Sequence, residues 1–517
     1  METQFDTIII GSGIGGLTTA VLLSKVFNKK VLVLEKHFVP GGQTHDFVRT
    51  HNGQKFSWDV GIHYIGDLKK GHFGRKIFDF ITNNQLNWQK MPHVFEKFVY
   101  PDFTFEQPSN PKEFADKLIG MFPSEKDAVQ QYFIDIKNAA KWYQSQVADK
   151  LMPRMLSRIK NVFSKDYSDL ALQTTQTYLD KHFEDEKLKA ILTSVWGDYG
   201  VPPKHSAFLM HSLVIKSYLY GGYYPIGGAG KIAKSMIPII EENGGKVMTN
   251  ISVEEIIIKD NKAVGVKTKK GKNEAIFSAE TIISDAGAYN TYLKLIPQEI
   301  DIPFKEEIKN AMGSLSSITL HVGFKESPEK LGVKGENYWI FNEYDHNKSY
   351  EKSMNNLNIH SAFVSFPSLK DRDVQDHTAE IITFTNYDLF AKWQDSTWLK
   401  RDEDYKLLKE KLSQQLLDYT DKQLPGFKDI VAFTDLATPL TMEFFTNWKK
   451  GSFYGIPATP ERFKYKWISP DTPIKNLYLT GTDAATLGVF GALMGGIFTT
   501  AKVVGTRGMM RMMKAIG

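Results

Sequence analysis

The chain has 517 residues, 42% hydrophobic and 24% charged, which is room for two or three units of ordinary globular composition. It contains no cysteine, so a disulfide scaffold, thiolate zinc, iron–sulfur clusters and cysteine nucleophiles are excluded. With 64 basic and 59 acidic residues the net charge is +5, too weak a bias to point to nucleic acid.

In chain order, Thr7–Ile10 is a short β-branched run of the kind found in buried parallel strands. Gly11-Ser12-Gly13-Ile14-Gly15-Gly16 follows, then a helical pattern from Leu17 to about Val26. Val31–Leu34 is a second strand that closes on Glu35, completing a βαβ unit. Residues 111–219 read as helix-rich and charged. Gly227-Gly228-Ala229-Gly230 is glycine-rich, but no buried strand is expected ahead of it. A helix over 231–242 is stopped by Asn243-Gly244-Gly245. Strands are expected at 246–249, 253–259, 263–268 and 279–284, the last running into Asp285-Ala286-Gly287. Residues 317–324, 360–366, 380–386 and 429–436 predict an antiparallel sheet. A strand at 477–480, a turn at Gly481-Thr482-Asp483 and a small-residue helix from Gly491 end the pattern.

These pieces predict an α/β fold. A Rossmann-type domain, made of residues 1–75, 222–300 and 445–517, is interleaved with a substrate domain of 76–221 and 301–444. The substrate domain is read as a mixed or antiparallel sheet, mainly 301–444, plus a helical cap over about 108–220. Two uncharged stretches, 7–24 and 484–501, are as long as a membrane span. Both are rich in Gly and Thr, and the first holds a strand, a turn and a helix, so neither is expected to cross a bilayer. No charged segment precedes the first, so a signal peptide is not expected and a cytoplasmic location is.

G-x-G-x-x-G alone is weak, but here it lies between a strand and a helix with an acid ending the next strand. Gly11 allows the tight turn, Gly13 the approach of a pyrophosphate and Gly16 close helix–strand packing. The helix N-terminus offers free N–H groups to phosphate, and Glu35 can accept from ribose hydroxyls. A structural turn without ligand is the alternative. The glycine-rich return near the C-terminus favours a large flavin cofactor over a nicotinamide, because FAD needs contacts from distant segments. Asp483 is read as an acceptor for ribitol hydroxyls, and the N–H groups around Phe490–Ala492 as a stabiliser of charge at the flavin pyrimidine. The competing reading of these small residues is tight helix packing.

Several of these runs resemble the retinol-saturase branch of the carotenoid and retinoid FAD oxidoreductases, with carotenoid isomerases and phytoene-type desaturases. They include the first glycine motif, Val31–Glu35, Gly41-Gly42, Trp58-Asp59-Val60-Gly61-Ile62-His63-Tyr64-Ile65-Gly66, Asn476–Asp483 and Gly488–Leu493. Tyr224–Gly228, Thr438–Thr441 and Gly455 match more loosely. The resemblance implies FAD contacts at Gly11, Ser12, Gly13, Ile14, Gly15, Gly16, Glu35, Lys36, Gly41, Gly42, Gln43, Thr44, Gly61, Ile62, Val253, Asp285, Gly481, Asp483, Val489, Phe490, Gly491 and Ala492. His63 and Tyr64 favour the saturase branch over desaturases and isomerases. Gln43 and Thr44 stand where that branch carries cysteines, which leaves the substrate open.

Reducing a C=C bond needs a hydride and a proton. His63 and Tyr64 are the leading proton donors, with packing or a backbone contact the alternative for His63. Glu443, Tyr454 and His321 are in reserve. The implied substrate is a lipophilic polyene or isoprenoid, retinol- or carotenoid-like. No second nicotinamide fingerprint is present, so the electron donor is external or binds without one. The other readings are a desaturase or cis–trans isomerase, and a non-catalytic prenyl-lipid binder like the Rab GDP-dissociation inhibitors. Residues 141–163, with Val147, Leu151, Met155 and Ile159 beside Lys150, Arg154 and Arg158, have the composition of an interfacial helix despite Pro153. The alternative is a cap helix with a solvated edge. The 507–514 segment is a second candidate for peripheral membrane contact, or a frayed helix end.

Overall fold

The computed structural model describes residues 5–151, 166–313 and 315–517. Leu151, Met155, Ile159, Lys150, Arg154 and Arg158 of the expected interfacial helix fall in or beside the gap, so their side chains lie outside the described set.

Five parallel strands form the first sheet, in the order Leu477–Leu479, Thr281–Ser284, Thr7–Ile10, Val31–Leu34 and Lys246–Met248. The strands need no polar face because both sides are covered. Ile9, Val31 and Val33 pack on one side with Leu17, Val21 and Ile497, from the helices Ile14–Phe27 and Gly488–Ile516. Ile8, Ile10, Leu32 and Leu34 pack on the other with Ile256, Val266 and Tyr292. Ile8 and Ile9 are fully buried, each contributing about 1.5–3 kcal/mol of apolar burial.

The second sheet has seven strands, in the order Val431–Ala437, Leu315–Phe324, Thr378–Asn386, Ser361–Ser365, Asn337–Phe341, Val94–Val99 and Thr104–Pro108. It is antiparallel except where Asn337–Phe341 runs parallel to Val94–Val99, a pair the alternating sequence pattern did not reveal. Helices including Lys126–Leu151 and Phe208–Tyr218 cap it through an aromatic cluster of Tyr132, Trp196, Tyr199 and Trp339. Trp142 and Tyr143 pack against that cluster, and Val147 against the Rossmann core. The described part of the expected interfacial helix is therefore a cap helix.

Two further expectations are corrected. A buried strand, Tyr223–Pro225, does precede Gly227, but it pairs antiparallel with Trp88–Lys90 outside the parallel sheet. The turn after it donates Gly227 N–H to Asp371 and Ala229 N–H to Asp59, both at 2.7 Å, so carboxylates of the chain already meet these donors. Residues 488–501 of the second uncharged stretch belong to Gly488–Ile516, which is long and apolar enough to cross a membrane, yet 56% of its apolar window is buried against the protein. Its end is not frayed, because Met512 and Ile516 are buried.

Candidate active site

A hairpin places the central residues. Asp46–His51 and Gln54–Asp59 pair antiparallel around Asn52-Gly53, both at positive φ (48° and 79°), as a tight hairpin turn requires. Trp58 Nε1 donates to Val322 O at 3.2 Å, pinning the hairpin to the seven-stranded sheet. Ile65 exchanges backbone bonds with Tyr223 at 2.8 and 2.9 Å. Gly61, Ile62, His63 and Tyr64 are held between these anchors.

One cavity of about 2010 Å³ runs between the two sheets and the cap. That is about twice the upper end of the ~300–1,000 Å³ usual for a small-molecule pocket, room for a dinucleotide and a long apolar molecule together. One end is lined by Gly11, Ser12, Gly13, Ile14, Gly15, Glu35, Lys36, Gly42, Gln43, Thr44, Gly61, Val253 and Asp285. Val489, Phe490, Gly491 and Ala492 line it from the first turn of the C-terminal helix. His63, Tyr64, His321 and Tyr454 lie on the same wall.

The dinucleotide end is built by short contacts. Glu35 Oε2 accepts Ser12 N–H at 2.8 Å and the Ser12 hydroxyl at 2.7 Å, and Oε1 accepts His37 N–H at 2.7 Å. A carboxylate offers about four acceptor positions, so about one remains for a ribose hydroxyl. Ser12 Oγ accepts Gly41 N–H at 3.0 Å. A Cβ on Gly42 would stand 2.9 Å from Gly13 Cα, and one on Gly15 2.6 Å from Gly481 N. The N-terminal turn and the C-terminal return thus touch through glycines. A Cβ on Gly496 would lie 2.7 Å from Gly15 O, so tight helix packing explains that part of the C-terminal motif.

Gly16, Gly41, Ile62, Gly481 and Asp483 do not line the cavity. Ile62 is core. Asp483 was read as a ribitol acceptor, but its side chain is 1% exposed behind the wall. Its Oδ2 accepts Ala288 N–H at 2.8 Å, and its Oδ1 faces Arg462 Nη2 at 3.6 Å without a hydrogen bond. That orphaned oxygen and the bare glycine cradle fit a dinucleotide with hydroxyls to place. Glu443 is also off the wall, engaged by Lys450 N–H at 3.1 Å and the Tyr387 hydroxyl. His321 Nδ1 lies 3.2 Å from Asp435 O, and burial holds the imidazole below its usual range.

Beyond His63 and Tyr64 lies a buried polar network the sequence did not disclose. His63 Nδ1 meets Glu380 Oε2 at 2.8 Å, and Tyr64 donates to Asp198 Oδ2 at 2.6 Å. Lys370, 2% exposed, donates to His63 O at 2.9 Å, Asn337 Oδ1 at 2.5 Å and Ser365 Oγ at 2.7 Å. Glu96 accepts Trp339 Nε1–H at 2.9 Å and Asn337 Nδ2–H at 3.1 Å. Burial pushes Asp59, Asp198 and Asp285 up to about 7 and Glu96 up to about 8. Burial also brings Lys370 down to about 8.

These raised carboxyls set a pH dependence. Carboxyls with ordinary values near 4 in the unfolded chain make the folded chain the better proton binder between about pH 5 and 8. Buried His211, His321 and His346, held below the ordinary imidazole range, act in the opposite sense below about pH 6.5, so the carboxyls are read above it, where the melting temperature should be lower at about pH 8 than at about pH 7. A melting temperature that climbs over that step would contradict these assignments.

The comparisons agree with this architecture. Residues 9–81 match the NAD(P)-binding Rossmann-like domain. An all-trans-retinol 13,14-reductase of Danio rerio is 34% identical over 521 residues, covering 96% of this chain and 85% of the relative. A chloroplastic prolycopene isomerase 2 of an Oncidium hybrid cultivar is 26% identical over 530 residues, covering 98% and 84%. Wild-type putrescine oxidase bound to putrescine superposes with a TM-score of 0.64 at 14% identity, covering 97% and 99%, a likeness of fold.

Proposed function

The chain belongs to the all-trans-retinol 13,14-reductase family, and from that premise we propose that it is a flavoenzyme reducing a C=C bond of a retinol- or carotenoid-like polyene. The observation that carries this reading is the single cavity joining the glycine-built dinucleotide end to the His63–Tyr64 wall. FAD fits the dinucleotide end. Glu35 would take the adenosine ribose and the Gly11–Gly16 turn the pyrophosphate. The N–H groups at Val489–Ala492 would meet the flavin pyrimidine. Bound there and reduced, FAD supplies a hydride.

The chain's own residues do the rest. Trp339, Phe363 and Phe384 give the cavity an aromatic wall along which a flat polyene lies and from which water is excluded. His63 and Tyr64 stand at the reacting bond, where a proton must be given to the carbon the hydride does not take. Glu380 orients the His63 ring through Nδ1. The electrons come from an external carrier or from a nicotinamide bound without a fingerprint. The glycine cradle and Glu35 support this enzyme over a cofactor-free lipid binder, which would have no use for them.

The test is spectroscopic. The purified protein should be yellow, and the anaerobically photoreduced protein should regain flavin absorbance when all-trans-retinol or a carotenoid is added. A colourless protein that takes up no FAD would overturn the reading.

We also infer peripheral contact with a membrane that delivers the lipid. Met510 and Met513 are 59% and 37% exposed on the C-terminal helix, and Phe73 is 38% exposed. Met513 and Phe73 line the cavity. Met510 and Met513 lie among Arg507, Arg511 and Lys514, the composition of an interfacial face. Anionic vesicles should carry the protein upward in flotation at low salt, and Met510→Ser with Met513→Ser should weaken this. No flotation at low salt would remove the inference.

A further inference from the structure

Two hydrogen-bonded pairs meet the cavity, His63 with Glu380 and Tyr64 with Asp198, and they differ in where the carboxyl of each stands. Glu380 is 1% exposed and its Oε1 already lacks a hydrogen bond. Glu380 does not line the cavity and stands beside the Lys370 ammonium. Asp198 lies on the cavity wall in the turn Ser194–Tyr199, and His63 is close enough to favour its charged form.

Resting on the C=C reduction argued above, we propose that Asp198 is the proton store and positioning residue behind Tyr64, and that the reaction's proton reaches the substrate through the Tyr64 hydroxyl. The balance is complete. The hydride donor, a dihydroflavin, loses two electrons as one new C–H bond forms. The π pair of the C=C bond takes the Tyr64 proton to form the second. Tyr64 takes the Asp198 proton in the same motion, breaking the carboxyl O–H bond across the 2.6 Å contact, whose donor and acceptor exchange roles once the carboxyl is protonated. Asp198 is left as the carboxylate, and solvent restores its proton once product leaves.

The surroundings fit this relay. The Tyr64 ring stacks on Tyr218 at 4.4 Å and 22°, and Lys370 Nζ stands 5.9 Å from its centroid. The phenol is therefore fixed against Asp198. Burial and the neighbouring carboxylates hold Tyr64 well above the usual phenol range, so a free tyrosinate is a poor product and recharging must accompany transfer. The charged and titratable groups facing Asp198 are Tyr64 and His63 from the hairpin segment, Glu96 from Val94–Val99, Tyr218 from the cap helix, and Tyr199 and Tyr454. Burial brings the Asp198 carboxyl up to about 7, so it holds its proton on the acid side of neutrality and gives it up readily.

The test uses Asp198→Asn, which keeps the shape but has no acid proton, and Tyr64→Phe, which leaves Asp198 in place. In the oxidised holoprotein without substrate, infrared difference spectra between about pH 6 and about pH 8 should show protonated-carboxyl absorption shared with Asp59, Asp285 and Glu96, of which Asp198→Asn loses one component that Tyr64→Phe keeps. In turnover, wild-type kcat should fall as pH rises through about 7. Asp198→Asn and Tyr64→Phe should each lower kcat at least ~100-fold, flatten that limb and leave KM nearly unchanged. If Asp198→Asn fails to fold, Tyr64→Phe alone decides, since retention of the wild-type rate and limb overturns the proposal. Asp198→Asn with the wild-type limb, or with carboxyl absorption undiminished from wild type, overturns it too while the C=C reduction stands. A wild type that reduces no polyene defeats the underlying reading, and the proposal with it.

Discussion

Replacing Lys370 by methionine should destabilise the folded protein by about 3–5 kcal/mol, the usual cost of removing one partner from a buried charge network. Lys370 is the cation among Glu96, Glu380 and Asp59, carboxyls 1–2% exposed. Methionine fills a similar volume but gives no proton to His63 O, Asn337 Oδ1 or Ser365 Oγ, the three acceptors Lys370 now satisfies. The loss should grow with pH. Asp59 and Glu96, held up to about 7 and about 8, are largely neutral in acid and need the ammonium most once ionised. Thermal melts of both forms at about pH 6 and about pH 8 read this directly. Equal melting temperatures for the two forms would show that Lys370 does not neutralise the cluster.

Gly15→Ala should cost the protein its dinucleotide. On an ordinary helix this change is favourable by up to ~1 kcal/mol, so a loss is diagnostic of the contact. Here the added Cβ would meet Gly481 N at 2.6 Å and Asp285 Oδ1 at 2.9 Å. The first of these is backbone, which cannot swing aside as a flexible side-chain end can. The C-terminal return must retreat, at about 1–3 kcal/mol of overpacking, and Val489–Ala492 move with it. The variant should purify with little flavin and melt lower, whereas Gly53→Ala, with open space around its Cβ, should keep its flavin. Full flavin content in Gly15→Ala would show that the two ends are not coupled through this contact.

The dinucleotide half of the fold was legible because glycine at close-approach positions has few substitutes. Gly11 at φ 97°, Gly15 against Gly481 and Gly42 against Gly13 are steric requirements written as residue types. Glu35 was readable for the same reason, as an acid at the end of the strand beside that turn. Asp483 was harder to read because a carboxylate in a glycine-rich return has two uses, and spacing cannot separate a ribitol acceptor from the buried partner of Ala288 and Arg462. The buried polar network beyond His63 and Tyr64 was not legible. Glu96, Asp198, Lys370 and Glu380 come from four separate elements. Asp198 and Glu380 are single charges in apolar stretches, while Glu96 and Lys370 have charged neighbours in Lys97 and Asp371, so nothing local marks the four as one cluster. The parallel pairing of Asn337–Phe341 with Val94–Val99 was hidden likewise, since partners some 240 residues apart leave no local periodicity.

Reduction of a polyene C=C bond is tested most directly by product mass. Anaerobic, photoreduced protein incubated with all-trans-retinol should give a product heavier by two hydrogens, and in heavy water the protonated carbon should carry deuterium. An isomer of unchanged mass, or retinol recovered intact by a fully flavin-loaded protein, would contradict the account.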